Sequence, residues 1–330
     1  MPETKRIVTM TGVGKVELAE VQTDRSPLGP EEVSGKTVCS LLSPGTELSI
    51  YQGFYNDAGI HWGVFPANPG YASAFVADEV GEDVNDIAPG DLVFTMGPHA
   101  GWKRRPRKEC IRIPDGLAPE LAVFCRLINI TMSTLSTTRA QPAETVLITG
   151  LGPVGHLGAK MFAACGYRVV AVDPIEERRD LLSGCDVDLR ESVPVDDPEI
   201  AGKVAMVVEC SGHEQAVIDS CQVVRKRGEV VLVGVPMARK TNISAQELLH
   251  VIFRKFVDVR SGSEWEIPRY PQRDGGYSIF GNMRTAMDWL ADGRINVDGL
   301  TETLDPENVQ QIYDDLLKRK RDKLFQMLTW

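Results

Sequence analysis

The chemistry written most plainly in this chain lies at Gly150-Leu151-Gly152-Pro153-Val154-Gly155, which follows the apolar run TVLIT and opens a helical pattern near Val154. In a unit of strand, glycine loop and helix, the first glycine allows a tight turn and the second lets backbone approach a pyrophosphate. The third lets helix and strand pack closely. The start of such a helix offers N–H groups and a partial positive charge to phosphates. Asp173 ends the next apolar run, YRVVAVD, at the spacing where a carboxylate accepts hydrogen bonds from the adenosine ribose and repels a 2'-phosphate. The expected cofactor is therefore NAD rather than NADP. Pro174 and Arg178, just beyond it, belong to the same expected binding set. Strand ends in a parallel sheet line the ligand crevice, so Cys210-Ser211-Gly212 and Val233-Gly234-Val235 are expected to flank the ribose and nicotinamide.

These residues need a scaffold, and the pattern supplies one. From Glu144 the chain alternates TVLITG, GHLGAKMFAACG, YRVVAVD, EERRDLLSGC, VAMVVECSG and EVVLVG, which specifies βαβ units around a parallel sheet. The first 120 residues instead carry short β-rich runs broken by Gly and Pro: VELAEV, KTVCSLL, ASAFVADEVG and DLVFTM. That texture predicts a rolled, mostly antiparallel domain. Met283, Ala286, Met287 and Leu290 share one helical face, as do Val309, Ile312, Leu316 and Leu317. The intervening SGSEWEIPRYPQRDGGYSIFG reads as a loop, whose Trp265, Tyr270 and Tyr277 would roof a pocket or contact another subunit.

Composition narrows the function classes. A chain of 330 residues with 36 Lys and Arg against 46 Asp and Glu carries a formal charge of -10, which works against non-specific binding to nucleic acid or anionic membranes. No apolar run reaches the length of a membrane span and the start lacks the pattern of a signal peptide, so the expected location is the cytoplasm. Seven scattered cysteines without a C-x-x-C pair write neither a disulfide framework nor a four-cysteine zinc lobe.

With PGTELSIYQG (44–53), PGYASAFVADEVGEDV (69–84), PGDLVF (89–94), IPDGL (113–117), GLGPVG, VVECSG and KRGEVVLVGVP (226–236) on the page, the chain resembles a medium-chain dehydrogenase/reductase nearly end to end. The resemblance implies an α/β protein with a GroES-like, mostly antiparallel β catalytic domain (1–120) and a Rossmann doubly wound parallel sheet that binds NAD (121–262). A C-terminal return to the catalytic domain (263–330) would complete it, in a homodimer or homotetramer. It also implies that Asn129 and Thr131 lie near the nicotinamide. A shorter likeness, LSPGTE followed by PGY, is to the subgroup of bacteriochlorophyllide dehydrogenases.

The zinc chemistry of the superfamily does not carry over. Where the zinc branch has Cys-Gly-x-Asp and Gly-His-Glu, this chain has Pro44-Gly45-Thr46-Glu47 and Gly70-Tyr71-Ala72. Cys125 alone stands near a third ligand position, and one thiol does not hold zinc. No metal is expected. His213 and Glu214 repeat the letters G-H-E but within the Rossmann unit, and are rejected as a metal motif.

Hydride transfer without a Lewis acid leaves hydroxyls and imidazoles to handle the proton. Tyr71, at the former histidine position, is the expected acid/base or oxyanion donor, with Thr46 beside it at the position that relays the proton in the zinc enzymes. A tyrosine must be lowered by positive charge to act as a base near neutrality. Glu47, His61 and His99 complete the expected catalytic set, the two histidines from irregular segments at the cleft border. His156 is expected beside the phosphates. Lys103, Arg104, Arg105, Arg107 and Lys108 read as a solvated loop or as a charge that draws an anionic substrate, and the basic run Lys318 to Lys323 as charge favourable to a helix C-terminus. The leading reading is an NAD-dependent, zinc-independent interconversion of a secondary alcohol and a ketone on a sugar-like, polyol or ring-bearing small molecule. The alternatives are a quinone or enoyl reductase, an epimerase or lyase that oxidises its substrate transiently with bound NAD, and a non-catalytic nucleotide-binding protein.

Overall fold

The computed structural model describes residues 2–24, 26–273 and 276–330. Two compact units emerge, one built from the residues through Arg126 together with Arg284–Trp330, the other from Leu127–Met283.

The first unit begins with β1 (Thr4–Gly12), β2 (Lys15–Gln22), β3 (Glu32–Leu41), α1 (Pro44–Tyr51), α2 (Phe54–Asp57), β4 (Ser73–Val80), β5 (Leu92–Thr95), β6 (Trp102–Pro106), β7 (Cys110–Arg112) and α3 (Pro119–Ala122). Helix α4 (Cys125–Thr137) leads out of it. Strands β1 and β2 form a hairpin of their own. The main sheet pairs β3, β4, β5 and β7 antiparallel, with β6 also on β3. Val33, Phe75, Ala77, Val93 and Cys110 pack one of its cores, as inward positions of an antiparallel sheet do.

The second unit contains β8 (Thr145–Thr149), α5 (Pro153–Ala164), β9 (Arg168–Val172), α6 (Glu176–Asp180), β10 (Val187–Arg190), β11 (Val204–Glu209), α7 (Glu214–Val223), β12 (Val224–Leu232), α8 (Ala245–Lys255) and β13 (Asp258–Ser261). All six strands run parallel in the order β10-β9-β8-β11-β12-β13. This is a doubly wound sheet whose order reverses between β8 and β11, the place where such sheets bind ligands beyond the strand ends. Leu147, Val170, Val207 and Val230 alternate into a shared core, and strand β11 is buried along its whole length, as central parallel strands must be.

Helix α9 (Ile279–Ala291) leads back to the first unit, where β14 (Thr301–Leu304), α10 (Val309–Leu317) and β15 (Phe325–Thr329) follow. Strand β15 joins the main sheet against β3, and β14 runs parallel to β15 at its edge. Residues 263–283, expected with the C-terminal return, group with the second unit. Gly262 N–H donates to Leu232 O at 2.8 Å, and the Asn129 and Glu264 side chains hydrogen-bond. The expected 261–281 loop holds a 3-10 turn at Glu264–Glu266 and the start of α9; its Asp274 and Gly275 lie outside the described residues.

Candidate active site

In the second unit the glycines of the 150–155 loop each do something different. Gly150 sits at φ +77°, donates its N–H to Val172 O at 2.8 Å, and would place a Cβ 2.8 Å from the Ser211 Cα. A Cβ on Gly155 would lie 1.9 Å from Gly150 O, and one on Gly234 would lie 2.4 Å from Gly212 N. The C-terminal loops of β8, β11 and β12 therefore pack backbone to backbone, which only glycine permits. Gly152 differs: it is the N-cap of α5 in extended conformation, and a Cβ there meets nothing within 4 Å. Open space at a twelve-residue helix's N-terminus is what close approach by a pyrophosphate requires. The residues present fit a dinucleotide.

Asp173 ends β9 only 2% exposed. Its Oδ2 accepts from Leu151 N–H at 2.7 Å and from Arg178 Nη1 at 3.3 Å, and its Oδ1 accepts from Ile175 N–H at 2.9 Å. The carboxylate thus clamps the glycine loop to the second strand, a structural duty beyond the expected ribose contact. Leu151 is buried and its N–H is spent on that clamp. Pro174 is exposed, and Pro153, Val154 and Arg178 are partly exposed.

Sequence reading gives Glu209 a place at the end of a strand but no role for its side chain. It is buried at the end of β11 and accepts from Thr149 Oγ1 at 3.1 Å and from the N–H groups of Ser211 and Gly212 at 2.8 and 3.1 Å, as well as from the Ser211 hydroxyl. One carboxylate so fixes the turn that carries Ser211 and Gly212, beside partly exposed Cys210, Val233 and Gly234 and exposed Val235. Asn129 is buried and donates from Nδ2 to Glu264. Thr131 is buried against Gly158, and its hydroxyl donates to Ile128 O of its own helix at 3.2 Å. His156 is buried within α5, where burial pushes its imidazole down to about 3, leaving it neutral. His213 accepts from Gln215 N–H at 3.3 Å and caps α7.

The first unit brings Thr46 and Tyr71 together, as expected. Pro44 starts α1, whose first turn carries Thr46 and Glu47. Gly70 at φ +104° precedes Tyr71, and a Cβ there would lie 2.7 Å from His99 Cδ2, so the turn that delivers Tyr71 needs glycine. The partly exposed Tyr71 hydroxyl donates to Ser43 Oγ and lies 3.5 Å from Thr46 Oγ1. The Arg126 guanidinium carbon stands 4.5 Å from the centroid of the Tyr71 ring. Burial raises the Tyr71 phenol above its ordinary value, and Arg126 with the Ser43 and Thr46 hydroxyls offsets only part of that rise. At neutral pH Tyr71 is a protonated donor, not a base. Ser43 and Arg126 were not singled out from sequence, although each adjoins a residue that was.

His99 and Glu47 form a buried pair. They are 0% and 1% exposed and face each other, with Nε2 at 3.3 Å from both carboxylate oxygens. Glu47 also accepts from Ser43 N–H at 2.7 Å and from the Tyr313 hydroxyl, while Ser40 Oγ meets His99 Nδ1 at 2.8 Å and Trp330 Nε1 at 2.9 Å. The buried pair holds Ser43 in place through its N–H. Burial pushes the Glu47 carboxyl up, but His99, Tyr313 and Ser43 outweigh it and hold it below the usual range. His61 is exposed at the start of a short 3-10 turn.

A zinc site does not fit these residues. Pro44 and Tyr71 occupy the positions at issue, and no group of three or more His, Cys, Asp or Glu among the described residues could hold a metal ion. The basic run is corrected from a solvated loop: it lies on β6 and the turn after it, with Lys103 buried on Pro98 O, Arg104 paired with Glu32, Arg105 with Glu109 and Arg107 with Asp86. No helix of the described residues is long and apolar enough to cross a membrane.

Comparison with known proteins agrees with this architecture. A family described as "Zinc-binding dehydrogenase" matches residues 153–266. The chain is 25% identical over 298 residues to an alcohol dehydrogenase of Geobacillus stearothermophilus, covering 77% of this chain and 80% of that one. In structure it resembles galactitol-1-phosphate dehydrogenase of Escherichia coli (TM-score 0.80, 19% identity, 98% and 100% coverage). It also resembles acetophenone reductase of Geotrichum candidum solved with NAD (TM-score 0.78, 19% identity, 100% and 98% coverage).

Proposed function

We propose that this chain is a medium-chain dehydrogenase/reductase, supported by its likeness to zinc-binding dehydrogenases and alcohol dehydrogenases, and that it is an NAD(H)-dependent enzyme interconverting a secondary alcohol and a ketone without zinc. The observation that carries the cofactor half is the Gly150–Gly155 turn, open at Gly152 and clamped by Asp173. Its carboxylate charge disfavours the 2'-phosphate of NADP. The names of the relatives, an alcohol dehydrogenase and a polyol-phosphate dehydrogenase, support alcohol chemistry on a sugar-like, polyol or ring-bearing substrate.

When bound, NAD(H) exchanges a hydride with the carbinol carbon. The chain's own residues handle the proton. In ketone reduction, Tyr71 donates its phenolic proton to the oxygen on which negative charge develops, and Ser43 and Thr46, at its hydroxyl, return a proton from solvent. Ketone, NADH and one proton become alcohol and NAD+. Glu47 and His99 act one step back, through the Ser43 N–H. In this chain a phenol held in its protonated form replaces the Lewis acid, which is why Pro44 and Tyr71 are tolerated where the zinc branch has ligands.

The test follows NADH absorbance with cyclohexanol, butane-2,3-diol and sorbitol as probes, and their ketones in the reverse direction. Tyr71→Phe should lower kcat by about 100-fold or more, the cost of a lost oxyanion donor, and leave the Kd for NADH within twofold or so. An unchanged kcat overturns the assignment of Tyr71. No turnover with any NAD-linked probe, together with no NADH binding, favours a non-catalytic protein.

A further inference from the structure

Arg126 is buried beside Tyr71, its side chain 2% exposed. It is the second residue of α4, beside Cys125, and its guanidinium carbon stands 4.5 Å from the Tyr71 ring centroid. A guanidinium over an aromatic face is attracted by the ring's negative quadrupole. That attraction grows when the phenol loses its proton, because the ring then carries a full negative charge.

We infer that Arg126 is a positioning residue that stabilises the phenolate left when Tyr71 gives its proton to the substrate oxygen. The inference rests on the proposed role of Tyr71 and adds what sequence alone left open, the positive partner of that tyrosine. The step balances simply: the Tyr71 O–H bond breaks, an O–H bond forms on the product alcohol, and the negative charge moves to the phenolate beneath Arg126. Solvent then restores the proton by way of Ser43 and Thr46.

The other groups facing Tyr71 do not supply this charge. Ser43 and Thr46 offer neutral hydroxyls, and the Glu47 carboxylate opposes ionisation. Tyr55, buried on α2, is a second phenol raised by its own burial and then by Tyr71. Among the described residues that act on Tyr71, Arg126 is the cation.

The experiment places a fluorinated tyrosine at position 71, whose lower pKa brings ionisation into the pH range where the protein is folded, and follows its titration by fluorine NMR. In the Arg126→Met background the fluorotyrosine should titrate about one to three pH units higher, as expected for the loss of an opposite charge at this distance. In the Arg126→Lys background, which keeps the charge and loses the planar fork, it should titrate closer to the native chain. Circular dichroism and NADH binding report whether each variant is folded. An unchanged titration in Arg126→Met, or an equal rise in both variants, overturns the inference. Tyr71→Phe separates the two claims: if it leaves ketone reduction intact, the role of Tyr71 itself fails. If it abolishes reduction while the titration does not respond to Arg126→Met, only the role of Arg126 fails.

Discussion

Gly152→Ala isolates the cofactor claim from the fold. At this position the backbone is extended, at φ -65° and ψ -176°, and an added Cβ meets nothing within 4 Å. Folding should therefore be indifferent to the substitution or gain about 0.4–1 kcal/mol from the stiffer unfolded chain. A bound pyrophosphate, however, has to come close to that backbone, and a methyl group there lifts it off its N–H partners. Losing one charge-assisted hydrogen bond costs about 1.5–3 kcal/mol, or roughly 10- to 150-fold in Kd. The assay pairs a thermal melt with a calorimetric NADH titration. The expected result is an unchanged or slightly raised Tm with a weakened Kd. Gly155→Ala is the opposite control: its Cβ falls 1.9 Å from Gly150 O, so stability should drop by about 1–3 kcal/mol or more, as overpacking does. Gly152→Ala that binds NADH as tightly as the native chain would refute the placement of the pyrophosphate at this loop.

The buried pair offers a second test. Glu47→Gln should cost about 1–3 kcal/mol at neutral pH, as loss of a buried carboxylate that accepts from the Ser43 N–H and the Tyr313 hydroxyl does, measured by urea unfolding. Because Glu47 is held below its ordinary value of 4.5 in the folded state, its contribution is complete above that value and is lost as pH falls through the lowered one. The native chain should accordingly lose stability more steeply on acidification than Glu47→Gln does. Metal analysis of the purified, active protein should find well below one equivalent of zinc, and dialysis against a chelator should leave turnover unchanged. Loss of activity restored by zinc would contradict the zinc-free reading. With Tyr71 raised, ketone reduction should stay flat through neutrality and fall only in strongly alkaline solution, which a pH profile of kcat reads directly.

The parallel unit was legible because its signals are local: TVLIT, the glycines and VVEC each carry their own period and punctuation, and α5 and β11 form where those patterns end. The runs at 16–21, 36–42, 72–81 and 91–96 likewise became β2 to β5. Strands β10 and β13 were missed because VDLR and DVRS are short and carry charge, and they become strands only by pairing with β9 and β12. The same holds for β6, WKRRP, whose basic side chains look like a solvated loop until Glu32, Glu109 and Asp86 are folded against them. Residue type identified Tyr71 and Thr46, but spacing could not say that Arg126, far along the chain, would lie over the Tyr71 ring. Nor could it say that His99 would turn inward to Glu47 rather than toward a substrate. These are long-range pairings, which periodicity does not encode.

The central claim, that Gly150 to Gly155 and Asp173 make this chain an NAD enzyme, meets its most direct test in calorimetric titration of the purified protein with NADH and with NADPH. The Asp173 carboxylate at the end of β9 should make NADH bind at least about tenfold more tightly, roughly 1.4 kcal/mol. NADPH binding equally well or better, or no binding of either nucleotide, would contradict it.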